Sequence, residues 1–172
     1  MKTKLIFSWL TAMVLLTSSC DEKSVVKSES VENYIEQLKA NKYNSDNLPS
    51  FTYQDIPFLL ENRNDTQLIT NFPRNFISSY YQSDCTVGMY VLWTIESIRA
   101  VSINSQFLTQ RFPSQNPLLA LRNSNEFKPV SDNASHLIAA QAYYDWWTIN
   151  KLQDFDTFKN IDPLKDTDYK WH

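Results

Sequence analysis

The run AYYDWW at residues 142–147 sets four aromatic rings within five positions. Tyr and Trp present flat apolar faces with a polar tip, the surface that stacks on sugar rings. On a helix the four rings point around most of the circumference. Tyr144 and Trp147 share a face with Leu137 and Ala140, which predicts them in the core, and Tyr143 and Trp146 are left as the exposed pair able to hold a glycan. Glu96 and Arg99, at i and i+3, attract one another. In an apolar helix each needs such a partner, so a structural ion pair is expected, with a ligand-binding pair as the alternative.

Three other groups have a weaker chemical pattern. Cys85 with His136 could supply a nucleophile and its base, but no local signature accompanies them, and a lone Cys more often behaves as a small buried hydrophobe. Asp154, Asp156, Asn160 and Asp162 are spaced loosely like a calcium loop, yet the glycine at the sharp turn and the closing bidentate Glu are missing. Acids in a first helical turn account for Asp154 and Asp156 without metal. His136 and His172 are the only histidines and fit no zinc spacing. No catalytic residue, metal site or cofactor is therefore expected, and no enzyme. A deep pocket with a polar mouth around Glu96, Arg99 or Cys85 is what would reverse that expectation.

Cys20 carries a different chemistry. Lys2 and Lys4 precede an apolar run from Leu5 to Leu16. A bilayer-spanning helix needs roughly 20 apolar residues, and a core of about a dozen is that of a signal peptide. Thr17, Ser18 and Ser19 before Cys20 resemble a bacterial lipobox, with Thr17 where Leu is usual. The expected organisation is a lipoprotein signal peptide over 1–19, an acylated Cys20 (palmitate among its chains) with a flexible tether over 20–29, and one domain over 30–172. The rival readings are a cleaved secretory signal with a coincidental Cys and a retained anchor helix. Acyl chains gain about 0.8 kcal/mol per buried methylene, and several together anchor stably. Asp21, Glu22 and Lys23 resemble an inner-membrane retention signal in some lineages and a surface-export signal in others. The outer membrane is favoured over the inner.

Composition narrows the partners. The net charge is -3, and loss of Lys2 and Lys4 leaves -5, which argues against nucleic acid. With Cys20 acylated, Cys85 has no intrachain partner for a disulfide. Gly88 is the one glycine in 172 residues. Tight two-residue hairpins and phosphate-cradling loops both lean on glycine, so a Rossmann or P-loop domain is excluded and an all-β barrel disfavoured.

What remains is an all-α domain of five to seven helices, an irregular multi-helix arrangement with a suggestion of helical-repeat pairs. Val31, Tyr34, Ile35 and Leu38 predict a first helix from a Ser30 cap to about Lys42. Asp55 and Pro57 open a short second helix to about Arg63. Residues 72–84 are predicted to be irregular but pinned to the core. Thr86 caps an almost wholly apolar stretch to Ile103, predicted to be the buried central helix. A short extended piece at Phe107–Phe112 and a helix from Asn116 and Pro117 to Arg122 follow. Ser131 or Asp132 caps a long helix through Lys151, and one or two more turns precede Pro163.

The segments ITNFPRNFISS, GMYVLWTIESIRA, RFPSQNPLLALR and YYDWW, with DPL further on, together resemble an uncharacterised family of small Gram-negative lipoproteins, a domain of unknown function. Phe76 stands where several members have Pro. The resemblance implies a lipoprotein with a mainly helical fold and brings no activity, cofactor or catalytic residue. The expected role is a non-enzymatic binding module of the cell envelope, attached to the lipid bilayer through Cys20 and engaging an envelope protein. The alternative is a glycan-binding accessory protein using Tyr143 and Trp146.

Overall fold

The computed structural model describes residues 29–172. The expected signal peptide, Cys20 and most of the expected tether lie outside the described residues. Helix α1, Glu29–Lys39, buries Val31, Tyr34, Ile35 and Leu38, the stripe that the helical period selects. It stops at Asn41, whose φ of 53° takes the left-handed conformation usually left to glycine. Asn41 Oδ1 then accepts from the amides of Thr70 (2.8 Å) and Asn71 (3.1 Å), tying the end of α1 to a distant loop.

A 3-10 turn over Tyr53–Asp55 leads into α2, Ile56–Leu60, with Pro57 in its first turn, where no amide is missed. Strands β1, Leu68–Ile69, and β2, Cys85–Thr86, pair antiparallel. Residues 70–84 between them are irregular. Arg74 closes this segment by donating to the carbonyls of Thr70, Phe72, Gln82 and Ser83.

Helix α3, Val87–Ser102, is the centre of the molecule. The Thr86 hydroxyl accepts from Met89 N at 3.2 Å as its N-cap. Tyr90 through Ile95 are buried without a break, because neighbours cover every side of the helix. Its end turns through Asn104, again at positive φ.

After α3 the chain departs from an all-α plan. Strand β3, Leu119–Leu121, stands where a helix from Asn116 to Arg122 was expected, and it pairs antiparallel with β4, Pro129–Val130, and with β5, Tyr169–Trp171, in the order β4-β3-β5. Helix α4, Asn133–Asn150, is capped by Asp132, whose carboxylate accepts from Ser135 N at 2.9 Å. The short α5, Phe155–Phe158, follows under an Asp154 cap. Five helices and five short strands in two antiparallel sheets make the described residues mixed α and β. The all-α expectation and its helical-repeat pairs are overturned by the two sheets. The β3–β5 pairing joins residues about 50 positions apart, and no local period announces it.

Three contacts fix the helix directions. Thr86 faces His136, Glu96 faces Tyr143 and Arg99 faces Trp146, so α3 and α4 run parallel. Tyr34 Oη bonds Thr94 Oγ1 at 2.8 Å, while Gln67 links Lys39 O to Val87 N, so α1 runs antiparallel to α3. None of the described helices is long and apolar enough to cross a membrane.

Candidate functional site

The parallel arrangement brings the N-termini of α3 and α4 side by side. Between them and the β1–β2 pair lies a cavity of about 540 Å³, within the size range of small-ligand sites. Its apolar wall comes from Leu68, Met89, Leu118 and Val130. Its polar lining comes from Gln82, Asp84, Thr86, Asp132 and His136, and the Cys85 thiol also reaches it.

His136 is held in one orientation. Arg63 O can only accept, so the 2.8 Å contact from Nε2 places the ring hydrogen there. The Thr86 hydroxyl lies 3.3 Å from Nδ1 and, having accepted the Met89 amide, has its own proton to give to that nitrogen. Gly88 explains how the ring comes so close. A Cβ on Gly88 would sit 2.5 Å from His136 Nε2 and closer still to Arg63 O. Gly88 φ is not positive, so the glycine serves close approach and not an unusual backbone.

Cys85 and His136 thus line one cavity without forming a nucleophile and base. Cys85 Sγ donates to Thr86 O at 3.1 Å, while both ring nitrogens of His136 are engaged elsewhere. Burial, reinforced by the Asp84 carboxylate, pushes the thiol far up, and a protonated thiol is a poor nucleophile. The Ser135 amide holds the Asp132 carboxyl below the usual carboxylate range. Asp84 and Asp132 stand in the lining, and neither Lys nor Arg is part of it, though Arg74 lies behind it on the carbonyls of Gln82 and Ser83. Each helix N-terminus contributes roughly half a positive charge, against two full negative ones. The charge carried by the lining itself is therefore negative.

The other sequence-predicted residues meet elsewhere, in the core. Arg99 Nη1 donates to Glu96 Oε1 at 2.7 Å and to Oε2 at 2.5 Å, and its Nε donates to Lys159 O at 3.1 Å. Tyr143 Oη donates to Glu96 Oε2 at 2.7 Å and accepts from Trp171 Nε1 at 2.8 Å. The Trp146 ring lies 5.7 Å from the Arg99 guanidinium. So Glu96, Arg99, Tyr143 and Trp146 do form one cluster, but a closed one.

The predicted exposure of Tyr143 and Trp146 is overturned: they are 0% and 5% exposed, while Tyr144 is 40% exposed and Leu137 is open to solvent. The buried face of α4 is Ser135, His136, Ala139, Ala140, Tyr143, Trp146 and Asn150. Ser135, His136 and Asn150 are polar, and that disguises the stripe. Small Ala139 and Ala140 let α4 approach α3, which rotates the aromatics at 143 and 146 inward. With those rings buried, the glycan platform has no surface.

Asp154, Asp156 and Asp162 are occupied as helix cap, partner of Lys159 and partner of Arg122. Among the described residues no cluster of His, Cys, Asp and Glu is arranged to hold a metal. The sequence reading missed Asp84, Asp132, Met89 and Val130 as neighbours. Thr86 and Asp132 were legible as caps of separate helices, but nothing local tells that the two helices start at the same place.

A family model described as "Domain of unknown function (DUF4943)" matches residues 25–172. No curated protein and no solved structure matches the chain.

Proposed function

Because the chain belongs to the DUF4943 family, whose function is unknown, we propose from its own geometry that it is a lipid-anchored envelope protein that binds and does not catalyse, with the cavity between α3 and α4 as its binding site. What supports this reading is the state of the lining groups. The thiol is held protonated and the imidazole is locked by two hydrogen bonds, so the cavity offers shape, hydroxyls and a negatively charged lining but no activated nucleophile. An apolar wall with two carboxylates and no cation suits a neutral or cationic ligand over an anion. A side chain of an envelope protein fits that description as well as a free small molecule.

Ligand-observed NMR with a set of neutral, amine-bearing and carboxylate fragments tests the binding half. Val130→Trp would fill the cavity from its half-buried edge. Neutral or amine fragments should bind the parent and lose binding in Val130→Trp, with the carboxylates silent in both. If no fragment distinguishes the two proteins, the cavity is not a binding site.

The anchoring half rests on the Cys20 motif. Cys20→Ala should leave an unprocessed precursor, and metabolic labelling with a fatty-acid analogue should mark the parent and miss the variant. An unchanged mature mass and unchanged membrane retention in Cys20→Ala would sink the lipoprotein assignment.

A further inference from the structure

We infer that the end of the molecule formed by the C-termini of α3 and α4 rests on the lipid bilayer, with Phe107, Ile149 and Leu152 entering its interfacial layer. This rests on the proposed acylation of Cys20, since the anchor is what brings the end to the membrane.

The helix directions carry the argument. Tyr34 is level with Thr94, and α1 runs antiparallel to α3. Five residues back from Tyr34, at about 1.5 Å each, Glu29 is level with the last turn of α3. α4 runs parallel to α3, so its end lies at this same pole. The first described residue of the chain, and with it the tether, therefore leaves from the pole where α3 and α4 finish. Residues 21–28 separate Cys20 from Glu29, and eight residues span at most about 29 Å. An anchored protein keeps this pole close to the lipid.

The surface there is apolar, as is that of Phe76, Ile77 and Tyr81 in the 70–84 segment, but it alone adjoins the start of the described chain. Leu152 is 96% exposed, Ile149 75% and Phe107 73%, with Val101 and Ile103 also open. Residues 100–110 carry no charge, and 148–153 carry only Lys151. The nearby acids of α5 are engaged, Asp154 as its cap and Asp156 with Lys159. Glu29 and Glu32 lie in the first turn of α1 at this pole, and Asp145, Asp162 and Asp166 share a groove with Ile149. Phe107 and Leu152 stand among Asn, Ser, Gln and Thr with one Lys, which matches an interfacial layer rich in zwitterionic headgroups. A water-facing pole would leave three large side chains hydrated without return. These groups belong to backbone that is already fixed: Ser105 N bonds Ala100 O, and Gln153 N bonds Asn150 O.

The test uses the full acylated chain in phosphatidylethanolamine–phosphatidylglycerol vesicles. Leu152→Cys is labelled with an environment-sensitive fluorophore, and Leu68→Cys, at the opposite pole beside the start of α3, is the control. Cys85 is buried and Cys20 is blocked, so each variant takes one label. Brominated lipids should cut fluorescence at 152 by about twofold or more and leave 68 unchanged, as interfacial insertion requires. No quenching at 152, or equal quenching at both positions, overturns the inference while the lipoprotein reading stands. If mass spectrometry finds no acyl chain, that reading falls instead. Vesicles are then added to the free protein, where quenching confined to 152 supports the membrane surface and its absence overturns it.

Discussion

Glu96 and Arg99 lie at the i,i+3 spacing that marks an ion pair, and the pair is completed by groups from two other parts of the chain. Tyr143 and Lys159 O take up what Glu96 and Arg99 leave open. Arg99 is nearly fully buried, so removing the Glu96 charge leaves a guanidinium without compensation. Glu96→Gln should cost about 3 kcal/mol in urea unfolding, and a loss under about 1 kcal/mol would mean that the pair behaves like a solvated one. The tyrosines provide a second check. Burial raises Tyr34, Tyr90 and Tyr143 well above their ordinary value, with the Glu96 carboxylate adding to the effect at Tyr143. A phenol raised in the folded state stabilises it fully below the unfolded value of about 10 and loses that contribution as pH climbs past it. Phenolate absorbance should therefore show these three ionising only as the fold is lost. All nine tyrosines titrating together in an intact fold would contradict their burial.

At the scale of elements, Gly88 is the joint between α3, α4 and the Arg63 loop. Alanine favours a helix over glycine by up to about 1 kcal/mol, so on propensity alone Gly88→Ala stabilises. The added methyl meets a ring and a carbonyl that hold each other, and overpacking of this kind costs about 1–3 kcal/mol. Gly88→Ala should be destabilised overall, and less so when combined with His136→Ala; a double-mutant cycle in urea measures the difference. The central helix was legible because a Thr cap and a mostly apolar stretch of 16 residues agree on it. The inward face of α4 was not, since a periodicity of apolar residues selects Leu137 and passes over His136 and Asn150. Buried polar residues with partners in other elements cannot be told from surface ones in one dimension. The candidate cavity was invisible for the same reason.

For the molecule as a whole, a single glycine argued against tight hairpins, yet Thr109 and Phe112 close one around Gln110 at positive φ without glycine. It did not argue against strands, because the paired strands β1–β2 and β3–β4 are joined by seven or more residues. Helices were readable from neighbours a few residues apart, whereas β1–β2 and β3–β5 depend on partners that no window contains. β3 has a further consequence in time. A chain made from its N-terminus presents Leu119–Leu121 long before Tyr169–Trp171 exist to cover that side, and Tyr143 likewise precedes Trp171. Until then the half-built sheet keeps an open edge, the template on which unfinished chains stick to one another. Completion of the three-stranded sheet thus waits for residues 169–171.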